Sequence, residues 1–395
     1  MSSKAWEVQS LKIMKNNKFY SSFDFIGPAK KRLPKFVFDF VDGGAGREDA
    51  LDLNVSSFKN KKLIPFIRDI DSSNNIKLDS QILGLNYSAP FGVAPLGLCG
   101  LVHPDADVTL AKAAAKFNVP YVISAASNKS IDTITQAAGT PPWFQLYIPK
   151  IDAQLNQLLN NAAVSNCPVL VVTIDTSVPG RRLRDLHNGL KLPYKLNCSN
   201  AIEAIRHPTW TARRLLAGKI TFPNFSDIEG GNKNLTFGDL MSLQTGGNLD
   251  WDMISKIRNV WKEKMVIKGV LSAADAVHAQ GLGVDAVIVS NHGGRQLNSA
   301  PAPVALLKNF VDAGLKREFL MLDSGVRTGD NIIASLAYGA GFTFMGRAFL
   351  YALAADGARG VERLFEIIFE ELSVNVNLLG VNSPKELSAK NCYVG

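Results

Sequence analysis

From about residue 90 onward, short apolar runs alternate with segments whose apolar residues recur at helical spacing. Runs such as 169–175 and 286–290 are nearly continuous in Val and Ile, which is typical of strands buried on both faces of a parallel sheet. Eight strands are predicted, at 90–94, 121–125, 143–147, 169–175, 265–270, 286–290, 319–323 and 342–346. Helices are predicted at 105–117, 131–138, 151–163, 251–262, 272–281, 302–313, 329–338 and 349–376.

This alternation, with no hairpin signal among the eight units, predicts a closed parallel (β/α)8 TIM barrel of the α/β class. An open doubly wound sheet is disfavoured, because no GxGxxG motif follows an early strand. Residues 1–85 are predicted to form an N-terminal helical cap, in which one helical stretch begins at about residue 31 and stops at Gly43-Gly44. Residues 176–250 lack the alternation and are predicted as a long insertion after strand 4. The chain, 1–395, is expected to form a single barrel domain.

The composition is that of an ordinary globular protein, with 46% apolar residues, 20% charged residues and a formal net charge of +8. The basic residues are scattered and match no zinc-finger or RNP pattern, so nucleic-acid binding is not expected. The four cysteines form no CxxC pair and no metal-ligand spacing, which favours reduced thiols and no metal site. We find no signal-peptide core and no apolar run of about 18 residues, so a cytoplasmic location is expected.

Polar residues that suit catalysis follow the predicted strands, where barrel enzymes carry their active sites. SNHGGRQ (290–296) follows the sixth strand, and its His292 and Arg295 suit a general base beside a carboxylate anchor. An incidental histidine in a glycine-rich loop is an equally good interpretation of this motif alone. Asp175 ends the fourth strand and could orient a histidine or cap a turn. Arg182 could be a second anion anchor or a surface arginine.

Three further strand ends suggest an anionic ligand. Lys268 closes the fifth strand and could stabilise an anionic ring or a phosphate. The segments 323–327 (DSGVR) and 346–347 (GR) follow the last two strands, where many barrels bind phosphate. On the third strand, Gln145 and Tyr147 share one face because strand side chains alternate.

Together these motifs resemble the FMN-dependent 2-hydroxy-acid oxidase and dehydrogenase family, over about 31–380. The resemblance rests on SNHGGRQL, WFQLY, a TxDT strand end, Lys268-Gly269, DSGVRTG and MGRAFLYALA, in that family's order along a barrel. The segments APLGLCGL, SAASNKSI and RDLHNG are most similar to the (S)-mandelate and L-lactate dehydrogenase branch. Barrels similar to IMP dehydrogenase or type 2 isopentenyl diphosphate isomerase share the phosphate site, but His292 with Arg295 argues against both.

The resemblance implies FMN as cofactor and oxidation of a 2-hydroxy acid to the 2-oxo acid. His292 would be the catalytic base and Asp175 would hold it, while Arg182 and Arg295 would bind the substrate carboxylate and Tyr147 the substrate hydroxyl. Lys268 would face the flavin N1/O2 edge. Pro95, Gly97, Ser124, Gln145 and Thr173 would line the isoalloxazine, Asp323, Gly325, Arg327, Gly346 and Arg347 would hold the ribityl phosphate, and Ala94 and Ser290 would also contact the cofactor.

The sequence departs from the family at three positions. Phe40 stands where the family has a tyrosine that binds the substrate carboxylate, Asn298 replaces an aspartate, and Ala126 occupies a position that is tryptophan in glycolate oxidase. An unusual substrate or a catalytically weak flavoprotein is therefore an alternative. The electron acceptor is expected to be a quinone or another acceptor rather than oxygen, although an oxygen-using oxidase stays possible. Peripheral membrane contact through about 205–245, on the inner face of the plasma membrane, and a homotetramer are also implied.

Overall fold

Eight parallel strands form a closed ring. The computed structural model describes residues 18–67, 76–189, 198–225 and 249–393. The ring strands are β3 (Phe91–Val93), β4 (Val122–Ser124), β5 (Trp143–Tyr147), β6 (Val169–Thr173), β7 (Lys264–Val270), β8 (Ala286–Val289), β9 (Leu320–Leu322) and β10 (Phe342–Met345). From β4 to β10, each strand pairs in parallel with the next along the chain, and β10 also pairs with β3. A bridge between Val93 and Tyr121 closes the gap between β3 and β4. The predicted (β/α)8 TIM barrel is confirmed.

Helices surround this ring and bury its outer face. Those between the strands are α4 (Ala106–Lys116), α5 (Ile131–Ala138), α6 (Asp152–Val164), α10 (Trp251–Val260), α11 (Ala273–Gly281), α12 (Pro303–Asp312) and α13 (Gly329–Ala337), and the last is α14 (Arg347–Leu378). Every residue of β6 is buried, as the continuous apolar pattern predicted. The last helix is interrupted at Asp356 and Gly357, where the backbone leaves the helical region.

The cap differs from its prediction in two places. The helical stretch expected from residue 31 is two helices, α1 (Ile26–Arg32) and α2 (Lys35–Asp42), separated at Leu33. Leu33 is extended because Pro34 follows it, and a residue before proline is disfavoured in the helical region. A hairpin of β1 (Ser80–Ile82) and β2 (Leu85–Tyr87) was not predicted. Its turn is tight, with positive φ at Leu83 and Gly84.

The insertion contains three described helices, α7 (Leu183–His187), α8 (Cys198–Arg206) and α9 (Pro208–Leu216). The predicted absence of β/α alternation there holds for the described part, while 190–197 and 226–248 lie outside the described residues. Among the described residues, no helix combines the length and apolar character needed to cross a membrane. The remaining cap helix, α3 (Asp49–Ser56), packs against the turn that follows β8.

Candidate active site

A large pocket opens at the carboxyl ends of the barrel strands. It encloses about 1300 Å³ of atom-free space, counting its open mouth. The predicted site residues that line it are Phe40, Ala94, Pro95, Gly97, Gln145, Tyr147, Thr173, Arg182, Lys268, His292, Arg295, Asp323, Gly325, Arg327, Gly346 and Arg347. The three predicted residues outside this lining, Asp175, Ser124 and Ser290, each hydrogen-bond to a residue inside it.

His292 and Asp175 form the pair that the strand ends suggested. Nδ1 of His292 lies 2.9 Å from Oδ1 of Asp175. Because an ionised carboxylate only accepts hydrogen bonds, Nδ1 carries the proton and Nε2 is free to act as a base. Burial alone would raise the pKa of Asp175, but the charge and hydrogen bond of His292 and the charge of Lys268 outweigh it and lower that pKa. Asp175 therefore stays ionised and orients the imidazole.

The backbone around His292 is held in an unusual conformation. His292 has φ of 58°, a left-handed conformation that costs about 1–3 kcal/mol in a residue other than glycine. Its amide donates to Oγ of Ser290 at 3.0 Å, and the amide of Gly293 donates to Oγ of Ser324 at 2.9 Å. A Cβ on Gly269 would lie 2.7 Å from the Asp175 carboxyl carbon. Glycine is thus required after Lys268 to make room for the carboxylate.

Two arginines meet at the ring of Phe40. The guanidinium carbon of Arg295 lies 5.1 Å from the ring centroid, and that of Arg182 lies 6.0 Å away. Arg295 donates to the carbonyl oxygens of Phe40 and Gly43 at 2.8 and 2.9 Å. Burial and the neighbouring Arg182 and Arg347 charges lower the pKa of Arg295 to about 9. Two cations so close together favour an anionic ligand.

Lys268 is a buried residue of the pocket lining. Its Nζ lies 3.0 Å from Oδ2 of Asp323 and donates to Oγ of Ser290 at 2.9 Å. Burial would lower the pKa of Lys268, but the charges of Asp323 and Asp175 outweigh it and raise that pKa. The residue is a buried ammonium with a buried carboxylate partner, and it places a fixed positive charge in the pocket lining.

The last two strand ends place Arg327 and Arg347 in the pocket lining, where Arg347 and Arg295 donate to the same carbonyl, that of Gly43. Both are buried, and burial together with the Arg347 charge lowers the pKa of Arg327 to about 10. Arg347 donates to three backbone carbonyls, of Val41, Gly293 and Gly43. Among the described residues, neither arginine has a carboxylate within ion-pair distance. Two buried cations without a paired acid fit the ribityl phosphate of FMN, which would supply the missing negative charge.

A third group of polar side chains in the site lies on β4, β5 and β6 and is linked by hydrogen bonds. Oγ of Ser124 donates to Oε1 of Gln145 at 2.8 Å, and Nε2 of Gln145 donates to Oγ1 of Thr173 at 2.9 Å. All three side chains are buried. Because each donor is oriented by its neighbour, the group presents fixed polar atoms beside the predicted isoalloxazine position. The residues present therefore fit FMN.

Several residues around the site were missed by the sequence analysis. Ser324 accepts from two amides of the His292 loop, and Gln296 donates to the carbonyls of Asp175 and Val178. Asn54 and Asn291 exchange amide hydrogen bonds of 2.8 and 2.7 Å between the cap and the loop. Ser324 and Gln296 stand inside the motifs quoted for the family, so the sequence could have indicated them as site residues. Asn54 carries no such signal in the sequence.

Asn298, one of the three departures from the family, holds the start of α3. Its Nδ2 donates to Oδ2 of Asp49 at 2.6 Å, and the amide of Asp49 donates to its Oδ1 at 3.0 Å. An aspartate at this position would face the Asp49 carboxylate. The amide thus suits a chain with an acid at position 49.

Comparison with known proteins identifies the family of this chain. The FMN-dependent dehydrogenase family profile matches residues 29–393. An L-lactate dehydrogenase of Ectopseudomonas mendocina is 35% identical over 371 residues, which covers 93% of this chain and 97% of the relative. An L-lactate dehydrogenase of Xanthobacter autotrophicus is 36% identical over 372 residues, covering 93% and 95%.

Solved structures give the same assignment. The crystal structure of the monotopic membrane protein (S)-mandelate dehydrogenase is similar with a TM-score of 0.89 and 32% identity, covering 95% of this chain and 100% of that one. A mandelate oxidase with (S)-2-phenylpropionate has a TM-score of 0.79 and 30% identity, covering 95% and 99%. The chain is therefore an FMN-dependent oxidoreductase that belongs to the FMN-dependent dehydrogenase family.

Proposed function

We propose that this protein oxidises an L-2-hydroxy acid, similar to lactate or mandelate, to the corresponding 2-oxo acid. The observation that carries the proposal is the His292–Asp175 pair, at 2.9 Å, with His292 lining the same pocket as Arg182 and Arg295. A base with a free Nε2 and a pair of cations is what removal of a proton from a hydroxy acid requires. The relatives named L-lactate dehydrogenase and (S)-mandelate dehydrogenase support the substrate class.

Each residue has a role in this proposal. Arg182 and Arg295 would bind the substrate carboxylate, and His292 would take a proton at Nε2 while Asp175 stabilises the charged imidazole. Burial raises the pKa of Tyr147, so its hydroxyl stays protonated and can donate to the substrate oxygen. FMN, when bound, accepts the two electrons of the oxidation. Lys268 would face its N1/O2 edge with a fixed positive charge.

The substrate side chain would meet apolar walls. Leu98, Ala126, Pro179 and Leu350 are among the pocket residues. The methyl group of Ala126 leaves more room than a tryptophan would, which favours a substituent larger than that of glycolate. The test is anaerobic mixing of FMN-loaded protein with glycolate, L-lactate, (S)-mandelate and long-chain L-2-hydroxy acids. Loss of flavin absorbance with glycolate alone would contradict the proposed substrate class.

Substituting Phe40 by tyrosine should tighten substrate binding. Both guanidinium groups lie beside the ring, so a hydroxyl would be added near the proposed carboxylate site. A hydrogen bond to a charged group contributes about 1.5–3 kcal/mol, so KM should fall by roughly 10- to 100-fold. Steady-state kinetics of Phe40→Tyr measures this change, and Phe38→Tyr on the same helix is the matched control. An unchanged or higher KM would show that the arginines already satisfy the carboxylate.

The second substrate is proposed to be a quinone or another acceptor rather than oxygen. The dehydrogenase relatives support this choice, while the similarity to mandelate oxidase keeps an oxygen-using oxidase as the second candidate. Stopped-flow reoxidation of the reduced protein separates the two candidates. We expect a short-chain quinone analogue to reoxidise it faster than air-saturated buffer. The reverse order would favour the oxidase.

Peripheral membrane contact is proposed for the described part of the insertion. Ile205, Leu215 and Leu216 are 76%, 76% and 89% exposed on α8 and α9, and Arg206 and Arg213 lie beside them. Such an apolar edge flanked by cations suits an anionic lipid surface. The similarity to a monotopic membrane protein supports the same proposal. The tryptophan of this segment has a different role, because Trp210 donates to the carbonyl of Leu101 at 2.7 Å.

Replacing Leu215 and Leu216 by serine should weaken binding to lipid vesicles. Fully burying a leucine side chain contributes about 1.5–3 kcal/mol, so removing two should lower the vesicle partition coefficient at least tenfold. Co-sedimentation with vesicles containing anionic phosphatidylglycerol measures this, and replacing the exposed Val311 and Val374 by serine is the control. Unchanged sedimentation would contradict the proposed contact. Location on the inner face of the plasma membrane and the homotetramer stay predictions, and analytical ultracentrifugation would test the latter.

A further inference from the structure

Asp185 is a buried carboxylate on α7, next to Arg182. Its side chain is 9% exposed, and its Oδ2 lies 3.0 Å from Nε of Arg182. The contact is an ion pair rather than an aligned hydrogen bond. Arg182 is the N-cap residue of α7, so both side chains belong to one turn of the chain. Since the contact uses Nε, the two Nη groups at the outer end of the guanidinium stay available for a second anion.

The acids around Asp185 are engaged by a different arginine. Arg184 contacts Asp42 at 2.6 Å, and it also contacts Glu48 and Asp39. Burial raises the pKa of Asp185, the charges of Arg182 and Arg295 lower it, and those of Asp39 and Glu48 raise it. Arg184 therefore forms ion pairs with the acidic residues of the cap, while Asp185 forms an ion pair with Arg182.

The two arginines of the pocket are restrained in different ways. Arg295 is fixed by the carbonyl oxygens of Phe40 and Gly43. Arg182 has no such carbonyl contact among the described residues, and beside the ring of Phe40 its charged partner is Asp185. An arginine side chain loses rotamer freedom when it binds a ligand, and binding becomes tighter when that freedom is already lost before the ligand arrives.

We propose that Asp185 is a positioning residue that holds Arg182 in the orientation needed to bind the substrate carboxylate. This inference rests on the proposed function, because it assigns the anion at Arg182 to the substrate. The orientation of Arg182 matters more in this protein because Phe40 has no hydroxyl that could hydrogen-bond the substrate carboxylate. Asp185 contacts the substrate only through Arg182 and is not itself a catalytic residue.

Removing Asp185 has two opposing effects, and their balance decides the sign. Loss of the negative charge strengthens the attraction of the site for an anion. Loss of the restraint lets Arg182 leave its position. Asp39 and Glu48 lie close to Asp185 and can then attract the Arg182 guanidinium. A charge at the end of a flexible side chain contributes little if it is turned away, so we expect the second effect to dominate in the alanine variant.

The test compares FMN-loaded wild-type protein with Asp185→Ala and Asp185→Asn, using oxalate as an unreactive probe. Oxalate affinity is read from the change it causes in the flavin spectrum. Asp185→Ala should raise the oxalate Kd and the KM for the hydroxy acid by roughly tenfold. The limiting rate of flavin reduction should change by less than about threefold, because the base is untouched. Asp185→Asn keeps an acceptor oxygen, so its oxalate Kd and KM should lie between those of wild type and Asp185→Ala. It serves as the test if the alanine variant does not fold.

A double-mutant cycle separates positioning from a general structural effect. In an Arg182→Met background, Asp185→Ala should cause no further loss of oxalate affinity. Asp42→Ala removes a carboxylate paired with Arg184 and should leave the oxalate Kd within about twofold of wild type.

Wild-type or tighter oxalate binding by Asp185→Ala would overturn the inference, as would an equal loss in the Arg182→Met background. If wild-type protein is reduced by a hydroxy acid and Asp185→Ala matches it in KM, the inference alone fails. If wild-type protein is neither reduced nor binds oxalate, the proposed function fails, and the role of Asp185 fails with it.

Discussion

Substituting His292 by asparagine should lower the rate constant for flavin reduction by roughly 10²–10⁴, the usual contribution of a general base. Asparagine keeps a polar side chain near Asp175 but has no basic nitrogen, so the proton that the substrate loses has no acceptor at that position. The FMN content should stay near that of wild type, because the phosphate end and Lys268 are untouched. Stopped-flow absorbance under anaerobic conditions measures the rate.

The control for this substitution is His278→Asn. His278 lies on α11 against the ring of Trp251, with 4.4 Å between ring centroids, and it is exposed. This variant should reduce its flavin at the wild-type rate. A His292→Asn protein that keeps its flavin and is reduced at the wild-type rate would show that His292 is not the base.

Substituting Lys268 by methionine should remove FMN from the protein and destabilise the fold. Lys268 and Asp323 form a pair at 3.0 Å with side chains 5% and 8% exposed. Removing one partner of a buried pair costs about 3–5 kcal/mol because the other charge is left uncompensated. We therefore expect a free energy of unfolding lower by about that amount and a purified protein with little flavin. Urea unfolding and the ratio of flavin to protein absorbance measure the two effects.

The same strand supplies the matched control for Lys268. Lys264 pairs with Asp285 at 2.8 Å, but its side chain is 48% exposed, and surface pairs contribute about 0–1 kcal/mol. Lys264→Met should therefore keep both stability and flavin. Adding Asp323→Asn to Lys268→Met should recover part of the lost stability, because it removes the unpaired buried charge. Equal stabilities for the two lysine variants would contradict the assigned buried pair.

The barrel could be predicted from the sequence because its strands are buried on both faces. Continuous Val and Ile runs such as 169–175 distinguish such strands from helices, and the observed β6 lies inside that run. The β1–β2 hairpin was missed because each strand has three residues, too few to establish alternation. The break at Leu33 was missed although Pro34 signals it, because the apolar spacing on both sides is helical.

The site was predicted to a greater extent than the surroundings that orient it. Strand ends converge in a barrel, so Asp175 and His292, which are 117 positions apart, could be expected to meet. Contacts that depend on the packing of the cap could not be predicted from the sequence. The amide exchange between Asn54 and Asn291 and the restraint of Arg295 by the carbonyl of Phe40 follow from how the cap lies on the barrel. The motif that contains Asn291 and Arg295 does not show which cap residues they contact, and Asn54 lies in no motif.

The most direct test of the central claim is anaerobic mixing of the FMN-loaded protein with L-lactate and with (S)-mandelate, followed by flavin absorbance. We predict that at least one of these acids bleaches the flavin of the wild-type protein, and that His292→Asn with the same flavin content is bleached at least 100-fold more slowly. A wild-type protein that binds FMN but is bleached by no L-2-hydroxy acid would contradict the assignment of this site to hydroxy-acid oxidation.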